Sequence, residues 1–294
     1  SYYFAHHLLQ IFEITDEWME RQLLTFAGIA TVCDIVDLLG ENRALVQMGL
    51  EEIRKTENIG LRVLIEEAGL SDKVISEYHI GFIIGPCINA TGRLESGRLA
   101  VELFCAQDEK EAREKARHLV MLNAERKQLT EEAAERADIA LQEGGALQDR
   151  VLVLYDAEIH ESIAGIVAGR IKDKYYRPTI LITDSEDGAK GSGRSIEDYH
   201  LFEALFANRD LFTRFGGHAM AAGLSLPVEN IPVLRRRLNE GCTLTEEQMI
   251  PILRLEDALS FAEIDLGLAK EVQTLAPFGK GIPAPLFASK GIHA

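Results

Sequence analysis

Hydrophobic positions along the first fifty residues change period twice. Tyr3 to Phe12 repeats apolar residues at helical steps, and Glu17 to Phe26 adds a further amphipathic stretch. Ala27 to Val36 is then a nearly continuous apolar run interrupted by Asp34, which reads as a buried strand with its carboxylate where the strand emerges. Asn42-Arg43, followed by residues 44–55, predicts the next helix. The stretch Phe82 to Leu94 has an apolar lead-in, then Pro86 and Gly92, and reads as a strand breaking into a loop that displays Asn89 and Arg93. From Ala100 to Glu143 there is no Pro and no Gly, and Leu119, Leu122, Leu129, Ala133, Ala137 and Ala140 recur at roughly helical steps. That predicts a long amphipathic helix ended by Gly144-Gly145. Its apolar spacing is too irregular for a sustained heptad coiled coil.

Beyond Arg150 the pattern becomes that of an α/β unit. Val151 to Tyr155 predicts a strand, and Glu161 to Tyr176 a helix with Ile163, Ile166, Val167 and Ile171 on one face. Pro178 opens a second strand, Thr179 to Thr183. Gly165 and Gly169 stand four apart and would let that helix pack closely on a sheet. Asn230 to Gly241 predicts an amphipathic helix whose Arg235-Arg236-Arg237 reads as a solvated face. The fold class expected from these alternations is α/β.

Two glycine-rich stretches carry the candidate chemistry. Gly188 to Ser195 (Gly-Ala-Lys-Gly-Ser-Gly-Arg-Ser) offers Ser192, Arg194 and Ser195 among glycines, and Gly216-Gly217 precedes His218. Either alone reads most simply as tight turns with a surface ion pair. Together they favour an anion site, in which bare backbone approaches phosphate oxygens and Arg194 supplies a planar fork. A serine hydrolase built on Ser192 and His218 is disfavoured, because no G-x-S-x-G elbow surrounds the serine. Asp34 reads as a helix cap, a turn residue or a metal ligand.

Charge and cysteine usage narrow the field. The net charge is −16, so any nucleic-acid contact must come from a local groove rather than from bulk attraction. Cys33, Cys87, Cys105 and Cys242 are far apart and form no C-x-x-C pair, as reduced thiols of a cytoplasmic protein would be. No apolar run approaches the ~18 residues of a membrane span. The start of the chain lacks the basic region and cleavage site of a signal peptide.

Ser192-Gly193-Arg194-Ser195 with Gly216-Gly217-His218 resembles the DHHA1 domain of the DHH phosphoesterase family, and within it the RecJ-like branch of single-strand-specific DNA exonucleases. Three further stretches are similar to that branch. They are Thr31 to Arg43, Pro86 to Arg93 and Leu275 to Phe287, with Cys87, Ile159 and Ile282 departing from the usual Arg, Trp and Asn. The resemblance implies the C-terminal part of a DHH domain over 1–105, a connecting helix over 106–143, a DHHA1 domain over 144–241 and the start of an OB-like β domain over 242–294. It implies Asp34 as a metal ligand of a site for two Mn²⁺ or Mg²⁺ ions. Arg93, Arg194 and His218 would act on the scissile phosphate, with Asn89, His160, Ser192, Ser195, Gly216 and Gly217 binding substrate. The family's Asp-x-Asp and Asp-His-His motifs have no counterpart here, since His6-His7 follows Ala5 in a helical pattern. The metal site is therefore expected to be incomplete and the chain inactive alone. The activity implied is metal-dependent 5′-to-3′ hydrolysis of single-stranded DNA to mononucleotides in repair and recombination, with a repair helicase or single-strand-binding protein as further partners. The alternatives are a small-substrate phosphoesterase for oligoribonucleotides or cyclic dinucleotides, and a non-catalytic single-strand-binding module.

Overall fold

A computed structural model describes residues 1–185 and 188–291. The chain divides into two units, one joining Ser1–Asn123 to the segment from Leu253 onward, the other spanning Ala124–Ile252.

The first unit is built from helices: α1 (Tyr2–Ile11), α2 (Glu17–Cys33), α3 (Gly40–Ile53), α4 (Ile59–Glu67), α5 (Glu77–His79), α6 (Gly85–Leu94), α7 (Arg98–Phe104) and the first part of α8 (Glu109–Glu143). Capping side chains set several starts. Asp16 accepts from the Met19 amide, and the Asn58 carbonyl oxygen accepts from Leu61 while its amide donates to the Phe104 carbonyl. The core gathers Val46, Leu61, Leu64, Ile84, Leu103 and Leu119. Helices α2 and α3 cross where both lack side chains: a Cβ on Gly49 would stand 2.9 Å from the Gly28 Cα.

Two predicted strands are helical. Ala27–Cys33 is the end of α2, with Asp34 as its C-cap and Ile35 in the left-handed region at φ 53°. Ile80–Ile84 is a π-helical turn that runs into α6, so Pro86 lies in the first turn of a helix, where its missing N–H costs little. In both cases an apolar run was long enough for either element, and packing among helices chose the helix. The predicted 100–143 helix is interrupted at Cys105–Asp108, where Asp108 accepts from the Glu111 amide and starts α8 afresh. Gly145, at φ 64°, follows its end as expected.

The segment from Leu253 onward carries α12 (Leu266–Thr274) and a short parallel pair, β6 (Asp257–Ala258) with β7 (Phe287–Ala288). The stretch 242–294 is expected from the resemblance to open an OB-like domain; the part from Leu253 onward clusters with the first unit. Arg43 donates to the carbonyls of Leu275 at 2.6 Å and Pro277 at 2.8 Å. The Leu38 amide donates to Lys280, whose ammonium pairs with Asp37.

The second unit is a mixed sheet in the order β1-β2-β3-β5-β4: β1 (Leu152–Tyr155), β2 (Thr179–Ser185), β3 (Gly188–Arg194), β5 (Ala221–Leu226) and β4 (Arg214–Gly217). Strands β1 and β2 are parallel and joined by α9 (Glu161–Tyr175); the rest pair antiparallel. One face packs Leu152, Leu154 and Leu181 against Ile163, Val167 and Ile171 of α9. The other packs Ile180, Ile182 and Leu224 against α10 (Leu201–Ala207) and α11 (Ile231–Glu240).

Replacing Gly49 by Ala forces backbone apart at the α2–α3 crossing. The expected cost is about 1–3 kcal/mol, read as a fall in Tm of about 2–4 °C per kcal/mol. An unchanged Tm would show that the crossing does not depend on contact between the two backbones.

Candidate phosphate-binding groove

Gly188–Ser195 was expected to cradle an anion with its backbone. It is instead a central strand, paired to β2 on one side and β5 on the other, so its ladder amides are committed within the sheet. What it offers is side chains. Alternation places Lys190, Ser192 and Arg194 on the α9 face, and Ala189, Gly191 and Gly193 on the opposite, buried face. A Cβ on Gly191 would stand 2.7 Å from Leu224 Cδ1, and one on Gly193 2.6 Å from Leu201 Cδ2. Those two glycines serve packing.

Arg194 turns back along its strand. Its Nη1 donates to the Gly193 carbonyl at 2.8 Å and to Ser192 Oγ at 3.2 Å. The guanidinium has room there because α9 carries Gly165: a Cβ at that position would stand 2.5 Å from Arg194 Nη2 and 2.8 Å from Ser192 Oγ. Gly165 thus permits close approach, as its spacing suggested, and what approaches is the arginine. Gly169, one turn on, has nothing within 4 Å of an added Cβ.

Across the sheet, Ser192 is level with Gly223 of β5 and Gly216 of β4. A Cβ on either glycine would meet nothing within 4 Å, so the floor beside Ser192 is bare backbone open to a ligand. A hollow of about 370 Å³ lies here, lined among others by Ser162, Lys190, Ser192 and Gly223. A second of about 730 Å³ includes His160, Asp184 and Arg214. Both hollows share Glu161, Lys190 and Ser225, so they form one groove.

Of the other predicted residues of this unit, His160 lines the groove. His160 caps α9, its Nδ1 2.7 Å from Ser162 Oγ and accepting from the Ser162 amide. Exposed His218 follows β4, and its amide donates to Ala221, the residue opposite Arg194. Gly217, at φ 151°, makes the close turn that brings it there. Ser195 differs from expectation. It is buried, and its hydroxyl donates to the Tyr199 carbonyl at 2.7 Å, so it holds the fold rather than facing the groove. Lys190, which ion-pairs with Glu161 at 2.8 Å, and Arg214 escaped the sequence reading, as did the floor glycine Gly223. Strand alternation was the signal that would have found Lys190. On the opposite face of the sheet, Tyr155 donates to Asp184 at 2.5 Å, a bond that raises the phenol above its ordinary pKa.

In the first unit, Gly85, Asn89 and Arg93 recur at four-residue steps and share a stripe of α6. A Cβ on Gly85 would run into the Cys33 sulfur, so this stripe begins against the residue before Asp34. Asn89, Arg93 and Asp34 are exposed. Burial and the neighbouring Asp34 charge push the Cys33 thiol up to about 11, so it offers no thiolate at neutral pH. Among the described residues no group of three or more His, Cys, Asp or Glu side chains could hold a metal ion. Among the described residues no helix is long and apolar enough to cross a membrane.

Residues 148–243 match the DHHA1 domain. The chain is 39% identical over 96% of its length to the single-stranded-DNA-specific exonuclease RecJ of Bacillus subtilis, and 34% identical over 90% to that of Haemophilus influenzae. It spans 35% and 48% of those proteins. Crystal structures of Thermus thermophilus RecJ with Mg²⁺ and with Mn²⁺ superpose on 95% of the chain with TM-scores of 0.80 and 0.81 at 30% and 31% identity. The chain covers 43% and 41% of them.

Gly165→Ala should displace the Arg194 guanidinium while Gly169→Ala leaves it in place. The side-chain Nε–H resonance of Arg194 reports this directly. Equal spectra for the two variants would remove Gly165 from the site.

Proposed function

From a chain that is homologous to the RecJ exonucleases and carries a DHHA1 domain, we propose that it is the phosphate-holding part of an enzyme that hydrolyses single-stranded DNA from its 5′ end. The observation that carries this reading is the Arg194 guanidinium beside Ser192, set over a floor of bare glycine backbone. A guanidinium binds phosphate oxygens two at a time, and serine adds a further donor. Hydrolysis of a phosphodiester builds negative charge on the phosphoryl oxygens, and fixed donors that meet this charge lower the barrier. Arg194 and Ser192 take that role here. His160 lines the same groove, His218 follows the β4 edge near Arg194, and both would be further donors to the strand, with Arg93 and Asn89 as phosphate contacts in the first unit.

Relatives crystallised with Mg²⁺ and Mn²⁺ support divalent-metal use by the whole protein. Asp34 is the ligand proposed on this chain, and the metal's part would be to activate water and neutralise charge. A strand lying flat on the sheet between α9 and the β4 edge presents one backbone, which favours single strands over duplex.

The test uses the whole protein with Mn²⁺ and three substrates: a long 5′-phosphorylated single strand, the same strand in duplex, and a dinucleotide. Loss of the long single strand alone is expected. Cleavage of the dinucleotide alone would move the activity to small substrates, and no cleavage of any would leave a binding module. Removing one such donor costs about 10²–10³-fold in rate, so Arg194→Ala should lower kcat/KM by that factor. A value near wild type would exclude Arg194 from the reacting phosphate.

A further inference from the structure

One rung along the sheet from Ser192 lies a second set of cations that the groove's first subsite does not use. Lys190 of β3 and Arg214 of β4 both face Ser225 of β5 in register, so the three residues form a row across the sheet on the α9 face. Parallel to it runs the row Ser192–Gly223–Gly216. The rows are two residues apart along the strands, about 7 Å at the usual rise. Because the Arg194 side chain folds back to Ser192, its guanidinium belongs to the Ser192 row.

Arg214 is exposed, and among the described residues its side chain has no hydrogen-bond or ion-pair partner. Lys190 is held by Glu161 at 2.8 Å, with both side chains about half exposed. Among the described residues the other acid that lines the groove is Asp184, which stands on the opposite-face register and accepts from Tyr155. A cation with no ion-pair partner among the described residues, a second cation with a displaceable one and a hydroxyl between them make a receptor for an anion. Its width suits one phosphate group.

We infer that Lys190, Ser225 and Arg214 form a second phosphate subsite, which takes the phosphodiester next to the one held by Arg194 and Ser192. This rests on the reading of the first subsite. The spacing is that of adjacent phosphates in a stretched strand, and the direction of the groove along β3 sets the path of the backbone. The subsite gives the groove preference for chains over mononucleotides, since a ligand with one phosphate cannot fill both rows. Glu161 acts as the competing anion that an arriving strand displaces from Lys190.

The inference is tested by binding to the whole protein in EDTA, which prevents cleavage, with two probes: thymidine 5′-monophosphate and a 5′-phosphorylated thymidine hexanucleotide. A charge-assisted contact of about 1.5–3 kcal/mol corresponds to a loss of about tenfold or more, so Arg214→Ala should weaken the hexanucleotide by at least that factor. The monophosphate should bind within about twofold of wild type, and the slope of log affinity against log salt for the hexanucleotide should shrink by about 1. Glu161→Gln should tighten the hexanucleotide and leave the monophosphate unchanged. Equal effects of Arg214→Ala on both probes, or none on the hexanucleotide, would overturn the second subsite. Arg194→Ala separates the two readings: it should weaken both probes, and if it weakens neither, the first subsite fails as well. Arg214 and Glu161 are exposed, so both variants are expected to fold; an unchanged Tm checks this, and either variant alone decides the question.

Discussion

The Arg194 guanidinium lies where α9 has no side chain, and the candidate groove depends on that fit. A strand of alternating glycines would by itself be a weak element, since each glycine loses more backbone freedom than alanine on folding. Here β3 is held between β2 and β5, and its buried-face glycines admit Leu224 and Leu201 from the opposite layer. Its other face is thereby left to Lys190, Ser192 and Arg194. With Gly165 above and Gly223 and Gly216 alongside, one rigid sheet presents cationic and hydroxyl groups over backbone that a ligand can touch. Rigid elements position binding groups better than loops do, because the ladder fixes each Cα.

The chain's charge sharpens this arrangement. At a net −16, the long-range field of the chain repels a polyanion, so affinity must come from short-range contacts in a confined, locally cationic groove. Much of the surface basicity is already neutralised. Arg113 contacts Glu66, Glu67 and Glu109, Arg237 contacts Asp210, and Arg235 contacts Asp149. The Arg235-Arg236-Arg237 triplet, conspicuous in the sequence, therefore has two of its three charges paired. Arg214, standing alone in the sequence, has no ion-pair partner among the described residues.

The first unit shows a related economy of fixation. The turn from Asp34 to Leu39, which carries the metal-ligand candidate, is held from the far end of the chain. Leu38 is buried against Gly279, its amide reaches Lys280, and Arg43 gathers the carbonyls after α12. Hydrogen bonds to a charged group contribute about 1.5–3 kcal/mol each, enough to hold an exposed turn against its own conformational entropy. Composition gave no sign of this clasp, because its partners are backbone carbonyls some 230 residues away.

Periodicity was sufficient where an element's burial is one-sided. It determined α8 and its glycine stop, α9, β1, β2 and α11, and the motifs around Arg194 and His218 pointed to the DHHA1 domain. It misread Ala27–Cys33 and Ile80–Ile84, whose apolar runs are short and near-continuous in sequence and so lack the alternation that separates helix from strand. It also gave Gly188–Ser195 as tight turns or a backbone anion cradle and not as a strand, because local propensity counts glycines against a strand and cannot see the neighbours that require them. Residue chemistry alone named Ser192, Arg194 and His218. Only tertiary structure decided that Ser195 is buried, that Gly165 makes room for the arginine, and that Lys190 and Arg214 share a row: register between strands far apart in sequence brings such groups together, and no local pattern records it.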